Sequence, residues 1–339
     1  MCLKSGLILL LLCNLLPLTR VKAEKLERFT FEKPEMGVPF RVIFYALDSK
    51  RAEDAAAAAF SRVEALNRIL SDYEQDSELV QLSRSSGHGH KMHVSDELWV
   101  VLSRSQKLAK ETQGAFDVTC GPIVNLWRRA RRKGELPSPA LVEEMRARIG
   151  WTKMILHAET QEVELTAADM RLDLGGIAKG YACDEVLKIL KQHGILSALV
   201  AASGDIVVSN PPPGKKGWQL EIATFENPNA LPILVELANM AVATSGDQFQ
   251  KLEVGERRYS HILDPRTGQP LTDHSLVSVI APDGLTADSL ATTCSVLGPK
   301  EGALLVQKTL GTAARFCRKK VEALEIMETQ DWKKYLLPK

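Results

Sequence analysis

No charge of one sign dominates this chain of 339 residues: 43 Lys and Arg face 42 Asp and Glu, so the basic surface that nucleic-acid binding needs is missing. Aromatic residues are only 6%, too few for a base-stacking platform. Cysteine is scarce as well: there are six, with no CxxC pair, which leaves no support for a zinc ribbon or a disulfide scaffold. With 45% hydrophobic and 25% charged residues, the composition excludes a disordered tail and a polytopic membrane protein. The length is ample for a large core.

What is present begins at the N-terminus. Lys4 precedes an apolar run from Gly6 to Leu16, followed by Val21-Lys22-Ala23. The run is short for a stable bilayer span, and Ala23 with a small residue two places before it suits signal peptidase, so residues 1–23 read as a secretory signal, with a short membrane anchor as the alternative. The mature chain, 24–339, is then near neutral. Cys2 and Cys13 leave with the signal, and Cys120, Cys183, Cys294 and Cys317 read as small buried apolar residues. Leu12 before Cys13 argues against lipid attachment.

Residues 24–339 read as one α+β unit with a helical N-terminal layer. Val38 to Leu47 has strand composition; Arg51 to Leu70 and Asp96 to Thr112 have helical periodicity, and Ser138-Pro139 opens a third helix. The run Arg128 to Gly134 is expected to be a solvated loop. Beyond Met154, strands are expected at 153–157, 162–165, 169–174, 197–208, 218–224, 240–244, 258–263 and 275–281, with helices at 177–193 and 287–297. His88-Gly-His90-Lys-Met-His93 has no carboxylate or cysteine beside it and reads as a solvated loop rather than a ligand set.

Four clusters bear chemistry. In Asp173-Leu-Gly-Gly176-Ile-Ala-Lys179-Gly-Tyr181 a strand runs through a glycine pair into a helix. Such a turn admits a ligand close to the backbone, and the helix start favours anions. Lys179 opposes the helix dipole there, which makes sense beside a phosphate; an ordinary turn with a surface lysine is the alternative. Asp288 and Thr292, four apart, present oxygens on one helix face, as a hard cation requires, although an acidic residue near a helix start also serves the helix alone. Ser260-His261-Ile262 leads into the turn Asp264-Pro-Arg-Thr-Gly268, with His261 either a base or a structural strand-end residue. Phe116-Asp117 precedes Gly121-Pro122, a segment that either clasps a heterocycle or forms a loop with core residues.

Taken together, AFDVTCGPIVNLW, DLGGIAKGYACDE, ATSGD, RYSHILDPRTGQP and TADSLATT, in this order, resemble the ApbE family of FAD:protein FMN transferases. The resemblance runs from about Met36 to Gly298. It implies a T-fold-like α+β architecture of mixed and antiparallel sheets with packed helices, at the periplasmic or membrane surface. It also implies Mg²⁺-dependent cleavage of FAD, with FMN passed to a Thr or Ser hydroxyl of an acceptor protein and AMP released. The acceptor implied is a periplasmic or membrane-associated electron-transfer subunit.

By the same resemblance Met36, Tyr73, Ala115, Phe116 and Asp117 are flavin-side residues, with Tyr73 covering the isoalloxazine. Asp173, Lys179 and Ile262 match nucleotide contacts, His261 the candidate base, and the Gly176 backbone with Asp288 and Thr292 a Mg²⁺ site. The chain departs from the family pattern at Arg128-Arg129-Ala130, where Gly-Phe-Gly is common, and at Ala202-Ser203-Gly204-Asp205, where Gly-Gly-Asp is common. The competing readings are an FAD pyrophosphatase that passes FMN to water and a flavin carrier without chemistry; a metal pair at Asp288 and Thr292 disfavours the carrier.

Overall fold

In the computed structural model, residues 25–225, 232–246, 251–255, 257–319 and 324–337 are described; the expected signal at 1–23 and Asp247 lie outside them. Eight strands form one antiparallel sheet whose spatial order follows the chain. They are β1 (Glu27–Glu35), β2 (Val38–Ala46), β3 (Ala198–Ala202), β4 (Asp205–Val208), β5 (Met240–Gly246), β6 (His274–Ala281), β7 (Ala313–Lys319) and β8 (Leu324–Glu328). The β1–β2 hairpin turns on Met36 and Gly37, with φ of +49° and +76°. A two-residue hairpin turn of type I′ needs positive φ at both central positions, and glycine adopts it without strain.

Among the described residues seven α-helices fill the connections: α1 (Ser49–Leu70), α2 (Glu78–Arg84), α3 (Asp96–Glu111), α4 (Gly121–Lys133), α5 (Pro139–Arg146), α6 (Ala178–Gln192) and α7 (Gly284–Lys308). Local chemistry opens many of them. The Asp48, Ser77, Ser95, Ser138 and Asp283 side chains each accept a hydrogen bond from a backbone N–H in the following turn. Helices α1, α6 and α7 cover one sheet face through Phe60, Leu66, Val186 and Leu290, against Val42, Val200 and Val279. The other face is covered by the hairpin Trp218–Ile222/Ile233–Leu237 and by Trp332. The result is three layers, α+β with antiparallel sheets and packed helices.

Several expected elements differ. The run 197–208 breaks at Ser203, φ +58°, into β3 and β4, because a two-residue turn reverses the chain there. Residues 169–174 do not form a regular strand: Asp169 turns at φ +56°, and the chain after it bonds to the 118–121 segment (Gly121 N to Arg171 O, 3.1 Å; Asp173 N to Val118 O, 2.8 Å). The helix expected at 287–297 starts at Gly284 and, after a kink at Gly298-Pro299, runs to Lys308. Arg128 to Lys133 is not a solvated loop but the second half of α4. That helix buries Ile123, Leu126, Trp127 and Ala130 against Val142, Met145 and Tyr259, and Gly134 ends it at φ +71°. Its basic residues follow the apolar stripe at helical spacing, a pattern the charge run hides. The four cysteines among the described residues are free, with Cys183, Cys294 and Cys317 buried as expected. Among the described residues no helix is long and apolar enough to cross a membrane.

Candidate active site

The starts of α6 and α7 touch backbone to backbone. A Cβ on Gly180 would lie 2.1 Å from the Gly284 carbonyl oxygen and 2.8 Å from Asp288 Cβ. Only a pair of glycines permits that approach, which draws together residues more than a hundred positions apart in sequence. A Cβ on Gly176 would in turn meet the Thr292 hydroxyl and methyl, each at 2.9 Å. Ser289, Thr293 and Ser295 turn their hydroxyls back onto carbonyls of α7, so Thr292 is the helix hydroxyl presented to the glycine turn.

Asp288 is 4% exposed and does not cap its own helix; Asp283 does that, and Asp184 accepts from Gly284 N and Leu285 N. Instead the Asp288 carboxylate accepts from Gly180 N at 3.1 Å and lies 3.7 Å from Lys179 Nζ. Lys179 Nζ is 3.0 Å from Asp205, the first residue of β4. Burial, reinforced by Asp205, pushes the Asp288 carboxyl up to about 7, although Lys179 and the Gly180 N–H pull it down. Burial alone would lower Lys179, but the two carboxylates hold it firmly protonated. Its place in the first turn of α6, unfavourable to the helix dipole, is therefore compensated by two carboxylates. One lysine between two carboxylates leaves the cluster one negative charge in excess when both are ionised.

That excess fits a cation. Mg²⁺ takes hard oxygen donors, commonly one or two carboxylates with the remaining positions left to water or phosphate. Asp288 and the Thr292 hydroxyl are donors of that kind on one face of α7, and the glycine turn at Gly176 packs against Thr292. Among the described residues no group of three or more His, Cys, Asp or Glu side chains is arranged to hold a metal. A site of this kind would rest on one carboxylate, as the Asp288–Thr292 spacing suggests.

A second set lies along the same backbone. Asp173 accepts from Gly175 N at 2.9 Å through one oxygen and from Arg128 at 2.8 Å through the other. Arg128 also pairs with Asp72, and its guanidinium lies 4.6 Å from the centre of the Tyr73 ring. Burial and the adjacent Asp173 push Asp72 up, while Arg128 draws it back. Tyr73 is 70% exposed, unusual for so large an aromatic side chain.

Ala115, Phe116 and Asp117 are buried beside this set, because Asp173 N bonds to the Val118 carbonyl. One Asp117 oxygen already accepts from the Thr119 N–H and hydroxyl, at 2.8 and 2.7 Å. Met36 sits at the β1–β2 turn, half-buried against the main core. Ile262 is buried, its N–H held by Ser260 Oγ and its carbonyl by Leu271 N. His261, half-buried, stands between them in the segment leading into the Asp264 to Gly268 turn. That turn meets α4, where Trp127 Nε1 donates to Gly268 O at 2.9 Å. Thus Gly176, Lys179, Asp288 and Thr292 converge, Tyr73 joins Asp173 through Arg128, and His261 with Ile262 lies on a separate loop.

Three participants escaped the sequence. Asp205 was visible only as a departure in a glycine turn, Asp72 only as the neighbour of Tyr73, and Arg128 was hidden in the basic run.

The ApbE family matches residues 36–316. The FAD:protein FMN transferase of Salmonella typhimurium is 29% identical over 313 residues, covering 90% of this chain and 89% of that protein. That of Haemophilus influenzae is 31% identical over 284 residues, 80% of this chain and 82% of that protein. Among solved structures, the flavin transferase ApbE of Vibrio cholerae superposes with a TM-score of 0.82 at 27% identity, covering 92% of this chain and all (100%) of that one. The flavinyl transferase ApbE of Pseudomonas stutzeri, in its apo form, gives 0.80 at 31% identity, over 92% and 96%.

Proposed function

The chain belongs to the ApbE family, and we propose that it is an FAD:protein FMN transferase that moves FMN from FAD to a Thr or Ser hydroxyl of an acceptor protein, releasing AMP. The observation that carries the reading is the buried Asp288 carboxylate, set beside Lys179 and Gly180, with Thr292 one turn along the same helix against Gly176. Phosphoryl transfer asks a protein for positioning and charge neutralisation more than for a covalent intermediate, and with a cation bound this cluster would supply both.

Asp288, the Thr292 hydroxyl and the Gly176 carbonyl would hold Mg²⁺, which when bound neutralises charge developing on the pyrophosphate. Lys179 adds a fixed cation at the start of α6. Tyr73 offers an open ring for the flavin to stack on, with Met36, Ala115, Phe116 and Asp117 as flavin-side contacts and Asp173 and Ile262 as nucleotide contacts. His261 takes the proton of the acceptor hydroxyl as its oxygen bonds to the FMN phosphorus. The bond from that phosphorus to the AMP oxygen breaks, leaving FMN in a phosphoester to the acceptor. The N-terminal segment supports an exported enzyme at the periplasmic or membrane surface, and an acceptor that is an electron-transfer subunit in the same place.

Product partition tests this. The chain without residues 1–23, given FAD and Mg²⁺, is expected to release AMP only when acceptor protein is present. Equal release without acceptor would make it a pyrophosphatase. His261→Ala is expected to lower flavinylation about 100- to 10,000-fold while FAD binding persists, since general-base help is of that size. Unchanged flavinylation in this variant would remove His261 from the mechanism.

A further inference from the structure

Arg128 makes three contacts at once: Asp72, Asp173 and the face of Tyr73. Its side chain is 17% exposed, whereas Tyr73 is 70% exposed. A planar guanidinium held by two carboxylates, lying against one face of an aromatic ring, fixes the plane of that ring. The rest of the ring is left open to solvent. Asp173, through Gly175 N, continues the same contacts into the glycine turn at Gly176.

We propose that Arg128 is a positioning residue of the flavin subsite: clamped by Asp72 and Asp173, it backs the Tyr73 ring so that the free face receives the flat tricyclic ring of a flavin. The proposal rests on the flavin-transfer reading and deepens it. An isolated tyrosine on a loop would have to lose rotamer freedom when flavin stacks; the clamp removes that freedom beforehand, so less of the stacking energy is spent on ordering. The role requires a rigid fork, which a lysine lacks.

The test compares two probes on the full chain: FMN, followed by quenching of flavin fluorescence on stacking, and ADP with Mg²⁺, which reports the other half of the FAD site. Arg128→Ala is expected to weaken FMN about tenfold, with ADP affinity within about twofold, since a desolvated cation–π contact is worth that order. In turnover, KM for FAD rises while kcat changes little. Arg128→Lys, which keeps the charge beside both carboxylates, is expected to lose several-fold in FMN affinity and serves alone if the alanine variant does not fold. In a Tyr73→Ala background the Arg128 substitution should add less than twofold, because Arg128 acts through that ring.

Wild-type FMN affinity in both Arg128 variants would overturn the proposal. So would equal losses for FMN and ADP, the mark of general damage, or additive losses in the Tyr73→Ala background. Absence of FMN binding by the wild-type chain would instead overturn the flavin reading itself.

Discussion

At the Gly176 end of the site the working groups are sunk in the protein: Asp288 and Asp205 are 4% and 5% exposed, and two helices meet at glycines to bring them together. At the Tyr73 end a ring stands 70% exposed on a loop, steadied from behind by one arginine. Burial at the first end is electrostatic equipment, since low polarizability strengthens every charge interaction there and raises Asp288 toward 7. Exposure at the second suits a stacking surface, which needs area and an open approach rather than field strength. Under the proposed function, one end serves charge in the reaction and the other recognition of a ring.

The sharpest way to break this contrast is Asp288→Ala. Transfer in Mg²⁺ is expected to fall by about 1,000-fold or more, as loss of a metal-held charge costs several kcal/mol, while FMN affinity stays within about twofold. Asp205 still pairs Lys179 in this variant, so the fold should survive, which a thermal melt would establish. Near-normal transfer would show that the buried end is structural.

A smaller effect, on stability, is expected from Gly180→Ala. The added methyl meets the Gly284 carbonyl at 2.1 Å, so α6 and α7 must separate, at a cost of about 1–3 kcal/mol as for overpacked cores. Denaturant titration measures it. A neutral outcome would mean the helix contact is loose and the cluster is held by its ion pairs alone.

The smallest effect concerns pH. Burial pushes Asp184 up to about 7, against two backbone N–H groups that lower it. The folded chain then keeps a proton that the unfolded chain has released, so stability falls as pH rises from about 4 to about 7 and is level above. A fall in stability is expected over that window, and Asp184→Asn should flatten part of the slope, because Asp288 titrates in the same direction. A slope unchanged in Asp184→Asn would assign it to Asp288 and the buried end instead.

Much of the architecture was legible in residues that act locally. The Ser95 and Ser138 caps, the alanine-rich periodicity of α1 and the glycine pair before α6 each report on neighbours within a turn, and each appears as expected. The spacing of Asp288 and Thr292 likewise placed two oxygens on one helix face. The helix α4 was hidden because its basic residues outweigh a narrow apolar stripe, and the break at Ser203 because a positive φ leaves little trace in a hydrophobic run.

By itself, then, the sequence determined where chains turn and helices begin, the order of five motifs, and so the family and its flavin chemistry. Only the tertiary structure decided that Asp205 shares Lys179 with Asp288, that Arg128 backs Tyr73, and that Thr292 meets Gly176. Those pairings join distant segments through sheet register and a glycine-to-glycine helix contact. Desolvation, which sets the charge behaviour of Asp288, exists only once all of them have closed around it.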